Sequence, residues 1–125
     1  MPKDKILVNI SNHPKAEWGE KQKKAAYEHY SEIRDIPHPD IPPDWTTERV
    51  LQQAEHILAE VLAVHPAAVH VMGEHTFCFT LVRMLQNKGI TCLASTTSRT
   101  VEVISDKEVR RLFEFSGFRS YPALK

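Results

Sequence analysis

Residues 69–99 read VHVMGEHTFCFTLVRMLQNKGITCLASTTSR. Val69 to Met72 is a short apolar run that stops at Gly73-Glu74-His75-Thr76. The stretch from about Glu74 to Lys88 is apolar almost all round (Phe77, Phe79, Leu81, Val82, Met84, Leu85), which predicts a largely covered helix with Gly89 as its C-cap glycine. Ile90 to Ala94 is a second apolar run, and it stops at Ser95-Thr96-Thr97-Ser98-Arg99. Strand, helix, strand with such short joints is the unit that builds a parallel sheet.

Working backwards, the same rhythm repeats. Lys5 to Ile10 reads as a buried strand that ends at Ser11-Asn12-His13-Pro14. Residues 16–30 place Ala16, Trp18, Ala25, Ala26 and Tyr27 among lysines and glutamates, which predicts an exposed amphipathic helix. Glu32 to Ile36 is a second strand, and the four prolines of residues 37–45 demand an extended loop. Thr46 or Thr47 then caps a helix whose core stripe is Val50, Leu51, Ala54, Ile57, Leu58, Val61 and Leu62, with Pro66 ending it. Ala67 to Met72 is the third strand.

Working forwards, the pattern changes. Thr100 to Ile104 and Val109 to Phe115 alternate polar with apolar residues around Ser105-Asp106-Lys107-Glu108, which predicts a β-hairpin. The expectation is one α/β domain over residues 1–125. It is a Rossmann-like three-layer fold with a parallel four-stranded core sheet plus a C-terminal β-hairpin.

Composition narrows the function. The chain has 125 residues, 42% hydrophobic, enough for one core and too apolar for disorder. No apolar run is long enough to span a membrane, and Met1 to Lys5 lacks the layout of a signal peptide. Cys78 and Cys92 sit inside apolar segments and read as buried thiols, pointing to a cytoplasmic protein. Net charge is zero, with 8 basic and 11 acidic side chains before residue 63 and 8 basic and 5 acidic from there on. A long nucleic acid asks for a wide basic face, so it is not expected; a small anion needs only a few donors. Seven histidines are scattered without HxxxH or CxxC spacing, so no metal and no cofactor is expected.

In an open α/β sheet, ligands bind at the carboxyl ends of the strands. Three strands would end there in SNHP, GEHT and STTSR. Gly73 would let a ligand approach the backbone, and the amides of His75, Thr76 and Phe77 would face an anion at a helix N-terminus. Ser11, Asn12, Ser95, Thr96 and Thr97 offer short polar side chains, and Arg99 a planar cation. Glu74 opposes an anion unless it serves the helix dipole or a ribose hydroxyl. Each loop taken alone also fits a plain turn; their convergence on one edge of the sheet is what points to a ligand.

The stretches SNHP, MGEHTFCFTLVRMLQNKGI, CLASTTSRTVEV and FEFSGFRSY together resemble the small CRISPR-associated, Rossmann-like (CARF-related) proteins of type III systems. The likeness is best from Val69 to Tyr121, and the S/A-T-T-x-R turn and the F-x-x-F-R-x-Y segment are its most specific parts. The resemblance implies a homodimer that binds cyclic oligoadenylate, and for some members a ring nuclease that opens it without metal. The ligand's ribose 2′-hydroxyl then attacks the neighbouring phosphate to give a 2′,3′-cyclic phosphate. Carried onto this chain, Ser11, Asn12 and His13 match the first loop, Gly73, Glu74, His75 and Thr76 the second, and Thr96, Thr97 and Arg99 the third, with Arg119 as a further cation. His13 and His75 are the candidate general acids, since histidine ordinarily titrates near neutrality. Two other readings stand beside it: a binding module that holds the ligand uncleaved, and a small interaction protein.

Overall fold

A computed structural model describes residues 5–124; residues 1–4, where the sequence lacks a signal-peptide layout, lie outside the described residues. The elements are β1 (Ile6–Ile10), a 3-10 turn (Lys15–Glu17), α1 (Glu20–Tyr27), β2 (Glu32–Asp35), α2 (Thr47–Val64), β3 (Ala68–Val71), α3 (His75–Asn87), β4 (Thr91–Ser105) and β5 (Glu108–Ser120). They form one α/β unit around a five-stranded mixed sheet of order β2-β1-β3-β4-β5. The pairs β1–β2, β1–β3 and β3–β4 are parallel, and β4–β5 is antiparallel. The four strands expected to be parallel are so, but the fourth runs on into the terminal hairpin, and the expected parallel core plus C-terminal β-hairpin is corrected to one mixed five-stranded sheet.

The correction has a specific cause. The run that was expected to end at Ala94 continues as β4 to Ser105, so Ser95 to Arg99 is strand and not a loop. Thr96 to Arg99 gain hydrogen-bonding partners in Gly117, Phe115, Glu114 and Phe113 of β5. Polar, β-branched threonines suit such a half-exposed ladder. One register shift falls between Thr96 and Thr97, where β5 has one residue more than β4.

Side-chain alternation divides the strands between two cores. Val8, Ile10, Val69, Val71 and Cys92 pack on α2 and α3, with Phe77 and Leu81 fully buried. Leu7, Ala68, Leu93 and Ile33 pack on Trp18 and on Ala26 of α1. Helices thus cover both faces. The helix expected over residues 16–30 is broken because Trp18 and Gly19 are extended between the 3-10 turn and α1. This lets the buried Trp18 ring reach the sheet, its Nε1 donating to His13 O at 3.0 Å.

Thr46 caps α2 by accepting from Arg49 N, and His65 ends it in the left-handed region at φ 56°. The helix expected to be largely covered buries Phe77, Leu81, Val82 and Leu85 but leaves Phe79 of α3 67% exposed. Both cysteines are buried and free, their thiols pushed up by burial to about 11 for Cys78 and about 12 for Cys92. Among the described residues no helix is long and apolar enough to cross a membrane.

Candidate functional site

The strand order reverses at β1, whose neighbours β2 and β3 lie on opposite sides. The chain leaves β1 at Ser11 and β3 at Met72, so these two exits flank the crevice where a parallel sheet opens. On the α1 side a cleft of about 780 Å³ lies there, bordered by Ser11, Asn12, His13, His70, Gly73, Ser95 and Thr97. Trp18, Met72, Phe113 and Phe115 supply apolar wall, and Lys21 and Gln22 come from α1. Glu17, Glu20 and Glu114 complete the rim.

The floor of this cleft is a chain of buried polar groups. Asn9 and His70 face each other across β1 and β3, and Asp35 faces Asn9 from β2. Asn9 Nδ2 donates to Asp35 Oδ1 at 2.9 Å and to His13 O at 3.0 Å. Its Oδ1 is thereby the accepting atom, 2.8 Å from His70 Nδ1 and 2.9 Å from Ser11 Oγ. His70 Nδ1 therefore carries the ring proton, and Nε2 is left to accept from Ser95 Oγ at 2.7 Å. Gln22 Nε2 donates to the same Ser95 Oγ at 3.1 Å.

His70 is held edge-on by aromatic rings, with Trp18 at 5.3 Å and Phe118 at 5.6 Å between centroids. Phe118 in turn stands 5.1 Å from Phe115. With no charged group against it, burial lowers the His70 pKa to about 4, so the ring is neutral at ordinary pH.

The central loop is arranged otherwise than its sequence suggests. Glu74 is the N-cap of α3: its Oε1 accepts from Phe77 N at 2.8 Å and from Thr76 Oγ1 at 2.6 Å. These bonds hold its carboxyl below the usual carboxylate range. The helix N-terminus expected to receive a ligand anion is thus filled by the chain's own carboxylate. Gly73, at φ 152°, is required by close approach to protein rather than to ligand. A Cβ there would fall on the His38 ring and 2.8 Å from Asn12 Oδ1.

The expected site residues separate accordingly. Ser11, Asn12, His13, Gly73, Ser95 and Thr97 share the cleft. His75 and Thr76 border a different depression of about 730 Å³ between α3 and the 41–51 segment, as does Glu74. Thr96 turns its hydroxyl to Gly117 O at 2.9 Å. Arg99 lies opposite Phe113 and Arg119 opposite Ala94, both exposed on the β4–β5 pair and neither bordering the cleft. The cation that does border it is Lys21, whose Nζ stands 3.6 Å from Glu114 Oε1. His13 is at the rim, its Nδ1 3.8 Å from Glu17 Oε2. Among the described residues no three His, Cys, Asp or Glu side chains gather as metal ligands.

A family model described as "Uncharacterized protein MJ1673 family" matches residues 5–119. The chain belongs to that family. The match runs from β1 almost to the end of β5, so the whole floor of the cleft lies inside the MJ1673 family region. No curated protein and no solved structure matches the chain.

Sequence reading passed over Asn9, His70, Lys21, Gln22, Phe113 and Phe115. For the first two a signal existed. Asn9, His70 and Ser95 each stand two residues after a core residue, Leu7, Ala68 and Leu93, and so point to the same face. Polar side chains in buried strands need partners, and three of them on one face can satisfy each other. The aromatic tail is structural as well: Tyr121 Oη donates to Val71 O at 2.7 Å and so fixes the end of β3 beside Gly73.

Proposed function

We propose that the cleft binds cyclic oligoadenylate and opens it as a metal-independent ring nuclease, within a Rossmann-like domain that works as a cytoplasmic homodimer. The observation that carries this reading is the convergence of Ser11, Asn12, His13, Ser95 and Thr97 on one cleft at the strand exits. Hydroxyls and amides in a partly enclosed site suit a phosphodiester whose charge is spread over several oxygens. Phe113 and Phe115 give flat apolar surface on which adenines stack, a contact every base can make. Lys21 supplies the cation in place of Arg99.

The reaction asks little more of the protein. The ligand's 2′-hydroxyl attacks the adjacent phosphorus, the bond to the 5′-oxygen breaks, and His13 at the rim donates the proton that this oxygen needs. The volume of about 780 Å³ falls within the range of small-molecule sites. A closed ring of several nucleotides exceeds it, so a second copy related by a two-fold axis supplies the other half.

The test is incubation with cyclic tri-, tetra- and hexa-adenylate, with and without EDTA, followed by chromatography. Linear products ending in a 2′,3′-cyclic phosphate, unchanged by EDTA, are expected. Tight binding without products would make the protein a sponge for the messenger. Neither binding nor products would overturn the reading.

A further inference from the structure

Asn9, His70 and Ser95 are joined end to end by hydrogen bonds of 2.8 and 2.7 Å, and the last of them opens into the cleft. A hydroxyl bonded to an unprotonated imidazole nitrogen, whose other nitrogen is held by an acceptor, is the arrangement that activates a weak nucleophile. A polar chain serving packing alone has no need of a member in the cleft. Ser95 is half-exposed there, whereas Asn9 and His70 are each 2% exposed.

We propose that Asn9, His70 and Ser95 form a proton relay that makes Ser95 Oγ the reactive hydroxyl of the cleft. Asn9 fixes the tautomer of His70 through Oδ1, and Asp35 and the His13 carbonyl fix Asn9 through Nδ2. Gln22 Nε2 stands ready to stabilise negative charge that develops on Ser95 Oγ. The groups facing His70 are Asn9 on β1, Trp18 before α1, Ser95 on β4 and Phe118 on β5, none of them charged. Asp35 reaches it only through Asn9. The ring therefore keeps its accepting lone pair well below neutral pH, in line with the lowering of its pKa by burial.

The use of the relay in cleavage rests on the cyclic oligoadenylate reading. There, the ligand's 2′-hydroxyl gives its proton to Ser95 Oγ while the Ser95 proton passes to His70 Nε2. The 2′-oxygen bonds to phosphorus, the bond from phosphorus to the 5′-oxygen breaks, and that oxygen takes a proton from His13. No water or oxidant is consumed. Ser95 is the catalytic residue of this step, and His70 and Asn9 are positioning residues that act through it.

Two measurements separate the relay from the ligand. First, the parent chain is treated with a fluorophosphonate probe and mapped by peptide mass spectrometry. Ser95 Oγ bonds to phosphorus, fluoride leaves, and the serine proton goes to His70. Labelling at Ser95 is expected, absent in Ser95→Ala, slowed roughly tenfold to a hundredfold in His70→Gln, and steady from pH 8 down to about 5. An unlabelled Ser95 in the folded parent would overturn the relay whatever the ligand is. Second, cyclic tetra-adenylate is bound and cleaved by parent and Ser95→Ala, with thermal melting as the check on folding. Cleavage by the ligand-saturated protein down by about 10² is expected, a loss larger than any weakening of affinity from the missing hydroxyl. Cleavage at the parent rate would overturn the role in proton transfer. A labelled Ser95 in a parent that neither binds nor cleaves the ring would keep the relay and discard the cyclic oligoadenylate reading.

Discussion

Asn9 carries more of this structure than its size suggests. Its one side-chain amide uses both donors and its accepting oxygen, tying β1 to β2, β3 and the first loop. Asn9→Ala would leave the buried His70 Nδ1–H without its acceptor and take away one of the acceptors of the Ser11 hydroxyl. A buried group left unmade costs about 1–3 kcal/mol, so denaturant unfolding of Asn9→Ala is expected to show a loss in that range or above. Asn9→Leu would be no better, since it offers no acceptor. Gly73 is the second decisive residue. Its φ of 152° and its closeness to His38 leave no room for a methyl group. Gly73→Ala is expected to cost about 1–3 kcal/mol through overpacking, read as a lowered midpoint in the same denaturant titration. A stability within error of the parent would show that the 37–45 loop gives way.

Among the elements, the β4–β5 pair is the unusual one. It extends past the point where β3 ends its pairing, as a two-stranded ribbon from about Ser95 to Ser105 and back. Val103 and Val109 face each other across it, and Val101 and Phe113 share their face by register. All four are half or more exposed, Val103 at 74%. The same register puts Arg99 and Arg111 on that face, so it is apolar mainly towards the ribbon's tip. An isolated two-stranded ribbon is marginal in water, and this tip fits burial in the proposed homodimer. Replacing both Val103 and Val109 by lysine is expected to convert a dimer to a monomer by light scattering. The melting temperature of the monomeric fold should hardly change, because exposed side chains contribute within about 0.5 kcal/mol. A dimer that persists would place the interface elsewhere, for example on the exposed Phe79 of α3.

At the scale of the whole molecule, the buried neutral His70 links folding to pH. Its pKa falls to about 4 in the folded chain from an ordinary 6.5. The unfolded chain therefore takes up the proton first as pH drops. Stability from this group is complete above about pH 6.5 and is lost progressively as pH falls towards 4. The shift corresponds to about 3 kcal/mol. Denaturant unfolding at pH 7.5, 6, 5 and 4 is expected to show that decline, and His70→Gln to flatten it. A parent curve that is level between pH 7 and 5 would mean that the ring is not buried neutral.

The sequence by itself determined the kind and order of the elements. The helical stripe read over Val50 to Leu62, the cap read at Thr46 or Thr47 and the short β-branched runs are properties of near neighbours along the chain. The helix formed with Thr46 as its cap and Val50, Ala54, Ile57 and Val61 buried, while Leu51 of the same stripe stayed exposed. The burial of both cysteines was legible for the same reason. Tertiary structure decided where the strands ended and what their ends met. Ser95 to Arg99 looked like a loop because its residues are polar and small; it became strand because β5 lies alongside and takes up its hydrogen bonds. Glu74 looked like an obstacle to an anion; it is the cap of α3, which fills the place of that anion. Loops that seemed to converge were divided between the two faces of the sheet, taking His75 and Thr76 away from His13 and Ser95. Asn9 and His70, 61 residues apart, were brought together by the pairing of β1 with β3. Strand order and register depend on contacts between distant segments, and local periodicity does not encode which segments will meet.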